Sequence, residues 1–143
     1  MPYNMSKYVL HFHHKTKKTN PHFDLRIQIP NKSLLASFAI PKKYIPENPG
    51  EKVLVIRTQD HGNYWLYVDD MDIPDDQSGA GKIDMIDRGV FQINGWGDSF
   101  ITFSSIKNGK YFNGDYVIIK IKGKKTTDGK NLWVLMKKKE KPE

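Results

Sequence analysis

Two short stretches, Tyr8-Val9-Leu10-His11-Phe12-His13 and His22-Phe23-Asp24-Leu25-Arg26-Ile27, carry the reading of the fold. Successive side chains of a strand point to opposite faces. In the first stretch Tyr8, Leu10 and Phe12 share one parity, and His11 and His13 the other. In the second, Phe23, Leu25 and Ile27 oppose His22, Asp24 and Arg26. Each strand can therefore bury one face in a core and present histidine on the other. Four of the five histidines fall between residues 11 and 22, joined by Lys15-Thr16-Lys17-Lys18-Thr19-Asn20-Pro21. That stretch reads as a polar loop whose lysines can draw in a nucleic-acid backbone.

The same period of two recurs downstream, with turn residues between the runs. Strands are predicted over 8–14, 22–29, 34–40, 52–58, 64–68, 82–86, 90–94, 99–106, 115–121 and 132–137, with no long helix. Pro30-Asn31-Lys32, Asn48-Pro49-Gly50 and Asp128-Gly129 supply turns, and Asn108-Gly109 is the clearest hairpin signal. Many short strands at this spacing predict a mainly β fold with little helix, a compact antiparallel β-barrel, with a sandwich as the alternative. One domain over residues 1–143 is expected, with a short N-terminal segment (1–7) and a basic C-terminal tail (137–143). That tail reads as a solvated terminus.

The chain has no cysteine, so disulfides, thiolate zinc sites and cysteine nucleophiles are excluded, and a metal must be held by nitrogen and oxygen. No apolar run is long enough to span a membrane and the first residues lack a signal-peptide core, so a soluble, cytoplasmic protein is expected. The net charge of +7 suits a polyanionic partner such as nucleic acid.

Imidazole and carboxylate are metal ligands, and a guanidinium fork fits phosphate. The row His22, Asp24, Arg26 beside His11 and His13 thus suits metal-assisted chemistry on a phosphate ester. Its plain alternative is a solvated strand face with a cross-strand ion pair. A third element, Arg57-Thr58-Gln59-Asp60-His61, follows the apolar run Val53-Leu54-Val55-Ile56. A histidine past a strand end is placed for proton transfer or anion contact. Tyr64 could donate to a phosphate oxygen, although a tyrosine in a strand usually packs.

These residues in order resemble the 3′-phosphoesterase module of bacterial DNA ligase D and its stand-alone archaeal relatives. The resemblance starts with His13 and His22-Phe23-Asp24-Leu25-Arg26. It continues through Ser37-Phe38-Ala39-Ile40-Pro41-Lys42, Arg57-Thr58-Gln59-Asp60-His61, Ile73-Pro74, Gly79-Ala80-Gly81 and Ile86-Asp87-Arg88-Gly89, and ends at Leu132-Trp133-Val134-Leu135-Met136-Lys137. It implies a β-barrel enzyme of DNA repair and non-homologous end joining that removes 3′-phosphates and terminal 3′-ribonucleosides from primer-template ends to leave a 3′-hydroxyl. The implied cofactor is Mn2+, with Co2+ or Zn2+ as alternatives. The implied metal ligands are His13, His22 and Asp24. Arg26 and His61 would contact the scissile phosphate, Lys42 would be a phosphate-side lysine, and Lys52 a weaker basic position. Tyr64 matches the site tyrosine only across a one-residue gap, and Trp65 holds the ungapped position.

The loop between His13 and His22 is longer than the family's usual spacing, so His14 competes as ligand, although alternation with His11 favours His13. Gln59 stands where glutamate is common, and no proline follows His61. The implied partners are DNA or RNA–DNA primer-template 3′ ends, with separate ligase, polymerase or end-binding repair proteins. No membrane is implied, and a monomer is expected. A rival metal reading takes His22, Asp24 and His61 as the facial triad of an iron oxygenase. A non-catalytic nucleic-acid-binding barrel, using aromatics such as Trp65 and Trp96, is the other.

Overall fold

A computed structural model describes residues 4–77, 79–106 and 109–139. Strand β1 (Asn4–His13) pairs antiparallel with β2 (His22–Gln28), which sets His11 opposite Asp24, Val9 opposite Arg26, and His13 opposite His22. Next come β3 (Leu34–Ile40), β4 (Lys52–Arg57), β5 (His61–Gly62), a 3₁₀ turn (Asn63–Tyr67), β6 (Met71–Ile73), β7 (Gly81–Trp96), β8 (Phe100–Ser105), β9 (Asp115–Lys125) and β10 (Asn131–Lys137). Eight strands run β1-β2-β3-β4-β10-β9-β8-β7, and β7 pairs back to β1 to close an antiparallel barrel. Closure leaves no open sheet edge in the ring. The barrel prediction holds, and the sandwich alternative does not.

One parity of each strand fills the interior. Tyr8, Leu10, Leu25, Ile27, Phe38, Ile40, Phe91, Phe103, Tyr116 and Trp133 are buried in a single cluster, with Tyr8 stacked on Phe91 at 3.8 Å between ring centroids. The chain between β4 and β7 forms a strap across the outer wall. Its β5 pairs with β3, its 3₁₀ turn packs on β1 and β3, and its β6 pairs with β7. Leu66 of the turn closes a second cluster with Val9 and Leu35, against which Trp65 and Met85 pack. The outer face of β1–β3, polar in pattern, is therefore covered.

Several element boundaries depart from the sequence reading. β1 begins at Asn4 rather than Tyr8, because Asn4 to Lys7 pair with Ile93 to Val90, and it ends at His13. The expected N-terminal segment is thus strand from Asn4 onward, and residues 1–3 lie outside the described residues. The aromatic run Tyr64–Val68 is a 3₁₀ turn, with the Val68 N–H donating to the Trp65 carbonyl at 3.3 Å. The turn buries Leu66 against Val9 and Leu35 while Tyr64 and Tyr67 stay exposed, so tertiary packing overrides strand propensity. The two strands expected over 82–86 and 90–94 are one, β7, with a bulge that absorbs Ile86 where the register steps from Leu10–Asp87 to His11–Met85. The strand continues through Gly89, which pairs with Tyr8 and where a Cβ would sit 3.0 Å from the Tyr8 ring. Of the Asn108-Gly109 hairpin, Asn108 lies outside the described residues, as do residues 140–143 of the tail. Among the described residues no helix is long and apolar enough to cross a membrane.

Candidate metal centre

The antiparallel register of β1 and β2 brings His13, His22 and Asp24 together, with one ligand atom from each within 4.8 Å of the others. Nδ1 of His13 lies 3.5 Å and Nε2 of His22 lies 3.3 Å from the same Asp24 oxygen, Oδ2. The far nitrogen of each ring is committed elsewhere. Nε2–H of His13 donates to the Ala80 carbonyl at 2.7 Å, and Nδ1–H of His22 donates to the Asn20 carbonyl at 3.0 Å. Each backbone carbonyl thereby fixes a tautomer whose remaining nitrogen carries a lone pair toward Asp24. This is the orientation that ligating histidines adopt in metal sites.

Three lone-pair-bearing atoms facing one another repel unless a positive charge sits among them, so this N,N,O donor set fits a divalent cation. Burial alone would raise the Asp24 carboxyl. Where protons rather than a metal sit on the facing ring nitrogens, hydrogen bonds from His13 and His22, with the Arg26 charge, hold it well below the usual carboxylate range. Burial likewise disfavours the charged form of His22, and the Asp24 carboxylate outweighs it, so the imidazole is raised above its ordinary value. His14 is turned away, with Nε2 bonded to Asp84 at 2.7 Å, so His13 and not His14 joins the cluster.

Arg26 stands one inward-facing residue from Asp24 on β2, and its side chain is 4 % exposed. Its Nε donates to Nδ1 of His11 at 3.2 Å, and Nη1 donates to Ser37 Oγ at 3.1 Å. Nη2 lies 3.7 Å from Asp24 and makes no hydrogen bond among the described residues. Trp65 covers the guanidinium, 4.7 Å from ring centroid to Cζ. Burial lowers the pKa of Arg26, and Asp24 opposes that shift.

His61 reaches this network because β5 pairs it with Leu35 on β3. Its Nδ1 lies 2.9 Å from Ser37 Oγ and 3.4 Å from Arg26 Nη1. Arginine can only donate, so Nδ1 is assigned as acceptor and the ring proton to Nε2. Burial and then the Arg26 charge lower its pKa, against the opposing pull of Asp24. The His61 ring packs edge-on to Trp65 at 5.2 Å. It stands with Arg26 and Ser37 rather than in the donor cluster, so the set His22, Asp24, His61 of the oxygenase reading is not assembled.

The remaining sequence candidates are placed differently. Tyr64 is exposed at the edge of the strap, 5.7 Å from Trp65 between ring centroids. Lys42 is exposed two residues past Ile40, the β3 residue that pairs with Phe23. Lys52 is exposed on β4 opposite Met136, four residues from the last β3–β4 pair at Ile56. Arg57 turns onto Phe38 and Trp133 and pairs with Asp60. The sequence does not reveal His11, Ser37 and Trp65 as the groups that position Arg26. His11 shares the parity of His13, which is a visible signal, whereas Ser37 and Trp65 become neighbours of Arg26 only through the β2–β3 register and the fold of the strap.

A search of curated proteins returned no match. The family model described as the DNA ligase D 3′-phosphoesterase domain matches residues 11–137, which include every residue of the donor cluster and of the Arg26–His61 network. On that match the chain belongs to the DNA ligase D 3′-phosphoesterase domain family.

Proposed function

We propose that this phosphoesterase is divalent-metal-dependent and acts on DNA or RNA–DNA primer-template ends, removing a 3′-phosphate or a terminal 3′-ribonucleoside to leave a 3′-hydroxyl. The observation that supports this reading is the convergence of His13 and His22 on one Asp24 oxygen beside Arg26, in a chain of this family. In the phosphatase step, the oxygen of water forms a bond to phosphorus and the P–O3′ bond breaks. The 3′-oxygen takes a proton and inorganic phosphate leaves.

His13, His22 and Asp24 would hold the metal, and when bound a divalent ion supplies Lewis acidity toward a phosphoryl oxygen. Manganese is the ion proposed, with cobalt or zinc as substitutes, since N,N,O donors accept all three. Nη2 of Arg26 has a donor free for a non-bridging oxygen. His61, kept neutral by burial and by Arg26, presents Nε2–H as a second donor. A neutral imidazole is a weak acid, so His61 is assigned to a phosphate oxygen rather than to protonating the leaving group. Tyr64 at the strap edge, and Lys42 and Lys52 on the outer surface, are assigned to the flanking substrate. The protein is proposed to act as a cytoplasmic monomer in end joining, beside separate ligase, polymerase or end-binding proteins.

The test uses 5′-labelled primer-templates ending in a 3′-phosphate or in one 3′-ribonucleotide, metal-stripped protein with and without manganese, and an Asp24→Ala control. Manganese-dependent conversion to a 3′-hydroxyl, lost in the control, is the expected result. Retained duplex binding with no conversion under any divalent ion would make the chain a binding barrel instead.

A further inference from the structure

The loop joining the two histidine strands is built around Thr16. Its Oγ1 accepts the N–H of Lys18 at 3.1 Å and of Thr19 at 3.0 Å, and its own N–H donates to the Thr19 carbonyl at 3.0 Å. This hub is seated on Gly81, at φ +115, immediately after the Ala80 carbonyl that holds His13. A Cβ at residue 81 would lie 2.5 Å from Thr16 Cγ2 and 3.3 Å from His13 Nε2. Only glycine allows both that backbone angle and that approach. The loop is thereby docked against a metal ligand rather than extended into solvent.

An open cavity of about 680 Å³ lies there, lined by Lys15, Thr16, Lys17, Asp75 and Gly81. The side chains of Lys15, Lys17 and Lys18 are exposed and make no ion pair among the described residues. Asp75 contributes the carboxylate of the lining. Two ammonium groups over a hydroxyl-bearing loop favour a phosphate, and among the described residues the lining contains no aromatic ring on which a base would stack.

We infer that this cavity is a subsite for the phosphodiester backbone of the substrate strand, with Lys15 and Lys17 contacting phosphates next to the scissile one. The inference rests on the proposed 3′-end chemistry. It makes the lengthened loop the element that separates a nucleic-acid strand from a lone phosphate ester. Contacts of this kind are independent of base sequence and steeply salt-dependent.

The test compares wild type with Lys15→Ala/Lys17→Ala. Binding of a labelled 12-mer bearing a 3′-phosphate is followed by anisotropy in EDTA across a salt series. Turnover of the same 12-mer and of a 3′-mononucleotide is measured with manganese. The slope of log K against log salt is expected to fall by about 0.7 for each phosphate of the single strand that the variant no longer neutralises. KM for the 12-mer should rise several-fold with kcat held, and mononucleotide turnover should match wild type. An unchanged salt slope with unchanged KM would overturn the subsite. Absence of turnover by wild type would instead overturn the 3′-end reading, and the anisotropy slopes would still decide the loop.

Discussion

Nε of Arg26 donates to Nδ1 of His11 across 3.2 Å, and Nε2–H of the same ring donates to the Val68 carbonyl at 2.8 Å. A fully buried imidazole thus ties the Arg26 guanidinium to the strap that covers it. Both ring nitrogens are used, and the bond from arginine requires the neutral tautomer.

Replacing His11 by Leu leaves the Arg26 Nε–H and the Val68 carbonyl unpaired in the interior. A cost of about 2 kcal/mol or more in unfolding free energy is expected for a buried donor to a charged group left without its partner. Turnover should fall further than stability alone explains, because Arg26 loses its alignment. His11→Gln, which carries both a donor and an acceptor, should recover part of each. Urea unfolding and 3′-phosphate release measured on the same preparations check this.

Burial, reinforced by the Arg26 charge, lowers the pKa of His11 to about 4. Below its ordinary value of about 6.5 the unfolded chain takes up a proton that the folded chain refuses. The contribution of His11 is therefore complete above that value and is lost as pH falls toward 4. A loss of about 2 kcal/mol is expected between pH 7 and pH 5 from this one group. The difference between wild type and His11→Gln in urea unfolding at the two pH values isolates it from the opposite shift at His22. Equal pH dependence in both proteins would remove His11 as the source.

Manganese should bind one ion per chain and raise the unfolding free energy by about 2.7 kcal/mol when present at a hundredfold its Kd. Asp24→Asn and His13→Ala should abolish the rise, whereas His14→Ala, at a residue engaged with Asp84, should keep it. Affinity should weaken as pH falls through the raised pKa of His22, since a proton competes for the same nitrogen. Calorimetric titration and thermal unfolding measure both effects.

Trp65 and Tyr64 are neighbours in the chain with separate expected roles. The Trp65 ring touches Arg26, His11 and His61, whereas Tyr64 is 65 % exposed. Trp65→Ala should cost about 1 kcal/mol of cation–π interaction and lower kcat about fivefold or more. Tyr64→Phe should stay within twofold of wild type in kcat and change only KM. A larger kcat loss at Tyr64 would return the site role to the tyrosine.

The barrel is readable because alternation of apolar and polar side chains is a local property with one geometric meaning, and turn residues punctuate it. Residues 22–27 show this directly: their parity separates Leu25 and Ile27 of the interior from Asp24 and Arg26 of the outer wall. The strap departs from its expected strand over Tyr64–Val68 because aromatic residues favour strands locally, whereas packing on Val9 and Leu35, distant in sequence, selects the turn. For the same reason the bulge at Ile86 and the continuity of β7 through Gly89 cannot be seen without the facing β1.

By itself, the sequence determined the strand parity that puts His13, His22, Asp24 and Arg26 on one side, and the family resemblance singled out His13, His22 and Asp24 among them. Alternation of side chains suffices for the parity. Only the tertiary structure decided that His13 rather than His14 turns to Asp24, that His11, Ser37 and Trp65 hold Arg26, and that the outer face of β1–β3 is covered. Each of these depends on register between strands or on a strap folding back over them, and hydrogen bonds between residues far apart in the chain follow from those pairings rather than from any local pattern.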